Sequence, residues 1–171
     1  MNRFELALVV LSSIALPALV AAPVFAEAHV CSGERPESVL RCYARAYAHR
    51  DSAALALLLA RDYVAVESSG AKQKRLDYGD ALRTAGRLFG SPKVAWIEVQ
   101  FGKPQAVRAA QEPETWILRH VPVRVHVQGA GAGRLLSREV HKLLTLWVRL
   151  EADPQPHYVI FREERRDPGR E

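Results

Sequence analysis

No Gly-x-Ser-x-Gly nucleophile elbow, no phosphate-binding glycine loop and no His-Glu-x-x-His pair occurs in the 171 residues. Those absences remove the commonest signatures of serine hydrolases, P-loop nucleotide enzymes and zinc peptidases. Gly129-Ala130-Gly131-Ala132-Gly133 lies between two strand patterns rather than before a helix, so it reads as a turn. The chain has only two cysteines, and no histidine stands at zinc-finger spacing from them. Internal repeats and low-complexity linkers are also missing. The net charge is +5, but basic and acidic residues interleave, as in Arg162-Glu163-Glu164-Arg165-Arg166-Asp167. No stripe of stacked aromatic and basic residues of the nucleic-acid-binding kind is present. A solvated mixed-charge surface is the reading of that segment, and no nucleic-acid partner and no cofactor are expected.

The N-terminus is patterned as a secretory signal over residues 1–26. Arg3 precedes an apolar run from Leu6 to Val20, and Val24-Phe25-Ala26 forms a small-x-small cleavage site. Ala26-Glu27-Ala28 competes with it two residues on. The run is short and broken by Ser12 and Ser13, which argues against a transmembrane helix. An uncleaved anchor is the alternative. Cleavage leaves about 145 residues, enough for one sizeable core. The expected location is the periplasm or the outside of the cell, with no stable membrane insertion. An oxidising compartment favours a disulfide between Cys31 and Cys42, worth ~2–3 kcal/mol by the chain-entropy account. Two free thiols are the alternative.

Periodicity then divides the chain. Val39, Leu40, Tyr43, Ala46 and Tyr47 recur at helical spacing within a helix of Glu37 to His49. Asp51 caps a short second helix through Leu59. Asp62 to Val66 reads as a strand, Lys72 to Arg75 as a polar loop, and Asp77 to Phe89 as a third helix stopped by Gly90-Ser91-Pro92. Val94 to Phe101 alternates as a strand, and Gln105 to Ala110 is ambiguous. Thr115 to Leu150 makes two long strands around the glycine turn, and His157 to Glu163 a last strand. Residues 27–163 form the expected domain, and 164–171 a charged, frayed tail.

Burial sets the hairpin register. The row Ile117, Arg119, Val121, Val123, Val125, Val127 aligns with Val140, Lys142, Leu144, Leu146, Val148. The other face then carries Trp116, His120, Arg124 and His126 beside His141, Thr145, Trp147 and Arg149. Pro122 marks an edge or a bulge. Helices segregated from a run of antiparallel strands define an α+β fold.

The segment Glu37 to Asp51, the leucine-rich Ala53 to Leu59 and the Arg61-Asp62-Tyr63 entry into a strand resemble the NTF2-like superfamily. That superfamily also houses SnoaL-type cyclases and ketosteroid isomerase. The resemblance spans roughly residues 36–163. It implies a cone, with N-terminal helices packed on a strongly curved antiparallel sheet, a pocket inside the cone, and often a homodimer. Fold alone does not fix function.

Candidate sites follow. Tyr43, Tyr47 and Tyr63 offer hydroxyls to a small hydrophobic ligand at the pocket mouth, or are core tyrosines. Trp116, His120 and Trp147 mark a covered interface, in keeping with the family's habit of dimerising. His120 and His126 lie roughly 20 Å apart along one strand, too far to share a metal. An isomerase-like enzyme acting on a hydrophobic carbonyl compound needs a carboxylate in the cone. Glu98, between Trp96 and Gln100, is the candidate, although Ile97, Val99 and Phe101 form the more apolar row on that strand. The leading expectation is a non-catalytic binding module for a small hydrophobic ligand or a protein; the enzyme is the alternative.

Overall fold

The computed structural model describes residues 35–69, 72–131, 134–152 and 156–168. They form three helices and seven strands: α1 Ser38–Ala48, α2 Ser52–Leu58, β1 Leu59–Ser69, β2 Lys72–Asp77, α3 Tyr78–Phe89, β3 Val94–Phe101, β4 Gln105–Arg108, β5 Thr115–Gly131, β6 Arg134–Glu151 and β7 His157–Arg166.

Helix ends follow the sequence closely. The carboxylate of Asp51 accepts from the Ala54 amide at 2.9 Å, and that of Asp77 from the Asp80 amide at 2.8 Å, so each fills an orphan donor of a first turn. Helix α1 stops at Arg50, whose φ is 54°. The Arg50 amide donates to the Tyr47 carbonyl at 3.1 Å and the Asp51 amide to the Ala46 carbonyl at 2.8 Å. Those two bonds make a Schellman motif with arginine at the position glycine usually takes. The Arg50 guanidinium reaches the Val94 carbonyl and ties this turn to β3.

The strands form one sheet in the order β2-β1-β7-β6-β5-β3, with β4 also on β5. It is antiparallel except for β1 and β7, which run parallel. The helical layer lies on its concave face. Val39, Leu40, Tyr43, Leu55, Leu58 and Phe89 meet Ile97, Leu118, Val121, Leu146 and Val148 in one core. The fold is therefore the α+β cone expected, with one parallel pair inside it.

Three local expectations change. Lys72 to Asp77 is strand β2, paired with β1 from Val64↔Asp77 to Ser69↔Lys72, rather than a loop. Strand β7 continues through Arg166, so Glu164 to Arg166 are strand rather than tail. Glu164 to Arg166 pair with both β1 and β6. The hairpin register holds beyond Val121, with Val121↔Leu144, Val123↔Lys142 and Val125↔Val140. Before it a bulge intervenes: Leu118 pairs with Leu146, so Arg119 and His120 together face Thr145. His120 takes a φ of 52° there. One extra residue reverses the alternation. Leu118 joins the core, fully buried, while Ile117 pairs with Trp147 on the convex face.

Pro122 sits where β5 passes from β3 to β4, a gap that tolerates a missing amide. Gly102 donates to the Pro122 carbonyl at 2.8 Å. A Cβ at Gly102 would meet Pro122 Cδ at 2.9 Å, so this approach requires glycine. Cys31, the partner expected for Cys42, lies outside the described residues, as does the segment 1–26.

Candidate functional site

The last strand supplies the polar floor of the cone. On the concave face of the sheet, Leu146 pairs with Glu163 and Leu144 with Arg165. On the other side, Ala65 pairs with Glu163 and Glu67 with Arg165. Glu163 is 1 % exposed. Its Oε2 accepts from the Tyr63 hydroxyl at 2.6 Å, and its Oε1 from Arg165 Nε at 2.5 Å. A buried carboxylate needs such partners, since an isolated one costs several kcal/mol. The negative charge of Glu163 raises Arg165 well above the usual guanidinium range, and burial only partly opposes it.

Helix α1 places Tyr43 and Tyr47 one turn apart above this floor. Their rings stack with centroids 4.9 Å apart, and the Tyr43 hydroxyl donates to that of Tyr47 at 3.4 Å. Phe101 meets the Tyr43 ring edge-on at 5.7 Å, and Phe89 meets the Tyr47 ring at 5.1 Å. These contacts hold the rings in position. Burial, and then the charge of Glu163, raises the Tyr43 and Tyr63 phenols well above their ordinary value. Tyr47 is raised by burial, with its bond to Tyr43 pulling the other way.

Between these groups lies a cavity of about 230 Å³, the liquid-volume share of roughly eight waters at ~30 Å³ each. Val99, Val123, Val125, Val140 and Leu144 make its apolar wall; Tyr43, Tyr47, Glu163 and Arg165 make its polar part. Glu67 and Lys142 line it as well. Lys142 Nζ bonds Glu67 Oε1 at 3.1 Å and Asp167 Oδ1 at 2.7 Å. The bond to Asp167 is the main cause of its raised pKa. A roomier groove of about 480 Å³ lies outside, between the start of α1 and the Gly102-Lys103-Pro104 turn. Its charged lining residues Arg35, Arg41 and Lys103 are exposed, so size alone does not make it the site. The smaller cavity holds the buried polar groups.

Of the sequence candidates, Tyr43 and Tyr47 line the cavity, and Tyr63 anchors its floor from below. Glu98 does not reach it. It pairs with His126 on the convex face and accepts from Gln100 Nε2 at 2.6 Å. Trp116, His120 and Trp147 do not share a surface. Trp116 packs against the core, with the Arg108 guanidinium 5.0 Å from its ring centroid. His120 projects at the bulge, exposed. Trp147 is on the convex face, under the Arg162 guanidinium at 4.6 Å. The bulge before Val121 is what separates the two tryptophans.

Sequence reasoning missed Glu163 and Arg165. Their segment reads as solvated mixed charge, yet strand alternation puts these two on one face and Arg162, Glu164 and Arg166 on the other. Lys142, standing in an otherwise apolar row, was a second available signal.

No family model matches the chain, and no curated protein matches it. Solved structures do. A conserved protein from Planctomyces limnophilus superposes with a TM-score of 0.58 at 14% identity, over 75% of this chain and 89% of that one. A protein provisionally assigned as a scytalone dehydratase, from Novosphingobium aromaticivorans, gives 0.57 at 12% identity over 76% and 79%. An NTF2-like protein from Cytophaga hutchinsonii gives 0.51 at 14% identity over 75% and 92%. The chain has the NTF2-like fold.

Proposed function

We propose that this chain is a non-catalytic binding module that seats one small, largely apolar ligand inside the cone. The observation that carries the reading is the cavity of about 230 Å³, with aliphatic walls and a fixed polar floor. Small-molecule sites combine an apolar lining with a few oriented polar groups in this way. Glu163 argues against proton abstraction. One of its oxygens is held by Arg165 and the other by Tyr63, so a substrate proton has to compete with both donors for the carboxylate. The reading includes export, from the pattern of residues 1–26, and pairing of two copies through the convex face that bears Trp96 and Trp147.

The test uses toluene as an apolar probe and follows the methyl resonances of Val123, Val125 and Leu144 by NMR. Saturable shifts confined to these wall methyls are expected. Absence of any saturable shift there sinks the reading.

A second reading is an enzyme acting on a hydrophobic carbonyl compound. The donors lining the cavity favour it, because Arg165 and a tyrosine hydroxyl are the kind of groups that stabilise a developing oxyanion. One of the similar folds also carries a dehydratase assignment. Hydrogen–deuterium exchange at the α-carbon of cyclohexanone in D₂O separates the two. Protein-dependent exchange abolished by Tyr47→Phe supports the enzyme; exchange at the buffer rate supports the binder.

A further inference from the structure

The cavity's unused hydrogen-bonding capacity points to the chemistry of its occupant, on the footing that the cone binds a small molecule. A guanidinium carries five N–H donors. Among the described residues, Arg165 uses only Nε, toward Glu163, so the edge formed by Nη1 and Nη2 makes no hydrogen bond. The Tyr43 and Tyr47 hydroxyls share a single bond, which leaves one phenolic proton over whichever of them donates. On the acceptor side, each Glu163 oxygen already takes one hydrogen bond. The floor is therefore rich in donors. Arg165 is a quarter exposed, so water meets these N–H groups, and a ligand that displaces that water has to present acceptors in its place.

We propose that the ligand is a small monocarboxylate. Its two oxygens sit on the Nη1/Nη2 edge of Arg165, within reach of the free tyrosine proton, and its apolar body lies against Val99, Val123, Val125 and Val140. Planarity selects the head group, because the guanidinium edge matches a carboxylate in a two-bond fork. A single carbonyl oxygen leaves most of that edge unmet. An ammonium group brings donors to donors. Charge limits the head group to one unit. The ionised lining residues Glu67, Glu163, Lys142 and Arg165 cancel, so the site offers no net positive charge and a dianion such as phosphate is disfavoured more than a monoanion. Size limits the body to one ring or a short branched chain.

The cancelling charges have a consequence. Affinity comes from directed hydrogen bonds in a sheltered place rather than from a net field, and so depends weakly on ionic strength.

The experiment is calorimetric titration of the purified protein with benzoate and isovalerate, each against its amide. The acids are expected to bind at least ~10-fold tighter than the amides, the value of charged over neutral hydrogen bonds. Tyr47→Phe is expected to weaken the acids severalfold and the amides less. Arg165→Lys keeps the charge without the fork and is expected to erase most of the difference between acid and amide. If acid and amide bind equally, or if Arg165→Lys keeps the full preference, the carboxylate assignment is overturned while the binding reading stands. If toluene shifts the wall methyls but neither acid binds, the outcome is the same. If nothing binds, both fall.

Discussion

Glu163 and Arg165 stand two positions apart on one strand, and their side chains meet at 2.5 Å beneath the cavity. The Glu163 side chain is almost wholly buried, at 2% exposure, and the Arg165 side chain is a quarter exposed, at 25%. Such a pair behaves asymmetrically. Losing one partner leaves a buried charge, whereas losing both leaves only a packing problem. Arg165→Met is expected to cost ~3–5 kcal/mol, read as a lower urea midpoint. The double change Glu163→Leu with Arg165→Met is expected to cost less than Arg165→Met alone. A double variant as costly as the sum of the singles means the pair is not coupled.

Alkaline pH should unfold the protein through its tyrosines. Burial leads the upward shift at Tyr43, Tyr47 and Tyr63. A phenol with a raised folded pKa keeps its proton more tightly folded than unfolded. The stability it contributes is full below its unfolded pKa of about 10 and is lost as pH rises through the folded value. In a titration at the tyrosinate absorbance band, these three are expected to ionise together with the loss of near-ultraviolet dichroism. Smooth ionisation of every tyrosine with the fold intact contradicts their placement.

Arg50 offers a backbone test. Its left-handed conformation costs a non-glycine residue ~1–2 kcal/mol, while its side chain returns a hydrogen bond to Val94 worth ~1 kcal/mol. Arg50→Ala removes the bond and keeps the strain. Arg50→Gly removes both. The glycine variant is expected to be ~1 kcal/mol more stable than the alanine variant. Equal stabilities, or alanine the more stable, rule out a left-handed residue at the end of α1.

Ser38 is 7% exposed, and its Oγ is buried with no hydrogen-bond partner. An unmet buried hydroxyl costs ~1–3 kcal/mol, and alanine is also the better helix former. Ser38→Ala is expected to raise the thermal midpoint. A drop of several degrees means the hydroxyl has a partner after all.

The pairing of Cys31 with Cys42 is proposed together with export, from the signal-like pattern of residues 1–26. Protein purified from an oxidising compartment is expected to resist alkylation until reduced, and reduction is expected to lower stability by ~2–3 kcal/mol. Rapid labelling of both thiols in the unreduced protein overturns it.

The helices were legible because capping and periodicity are local. Asp51 announces α2, and the apolar spacing from Val39 to Tyr47 announces α1. Strand β3 was legible for the same reason, its alternation regular from Trp96 to Phe101 after an irregularity between Val94 and Trp96. The hairpin was legible only beyond Val121, because Pro122 signals an edge or a bulge without saying which residue is extra, and the extra residue inverts every side chain before it. The tyrosines of the site could be read from their helical face. Its charged floor could not be read from charge content, since only the pairing of β7 between β1 and β6 turns Glu163 and Arg165 inward.

The order of the sheet sets a timetable for its synthesis. Tyr63 and Glu163 are 100 residues apart in the chain, and β7 lies between β1 and β6. At ~5–20 residues per second, Glu163 follows Tyr63 from the ribosome by roughly 5–20 s. During that interval the β1–β2 hairpin and the β3-to-β6 sheet are separate pieces, each with an open edge where the last strand belongs. Translation must therefore reach β7 before the cone has a floor. A nascent chain halted before β7 holds the tyrosines and the valine wall but no charged pair beneath them.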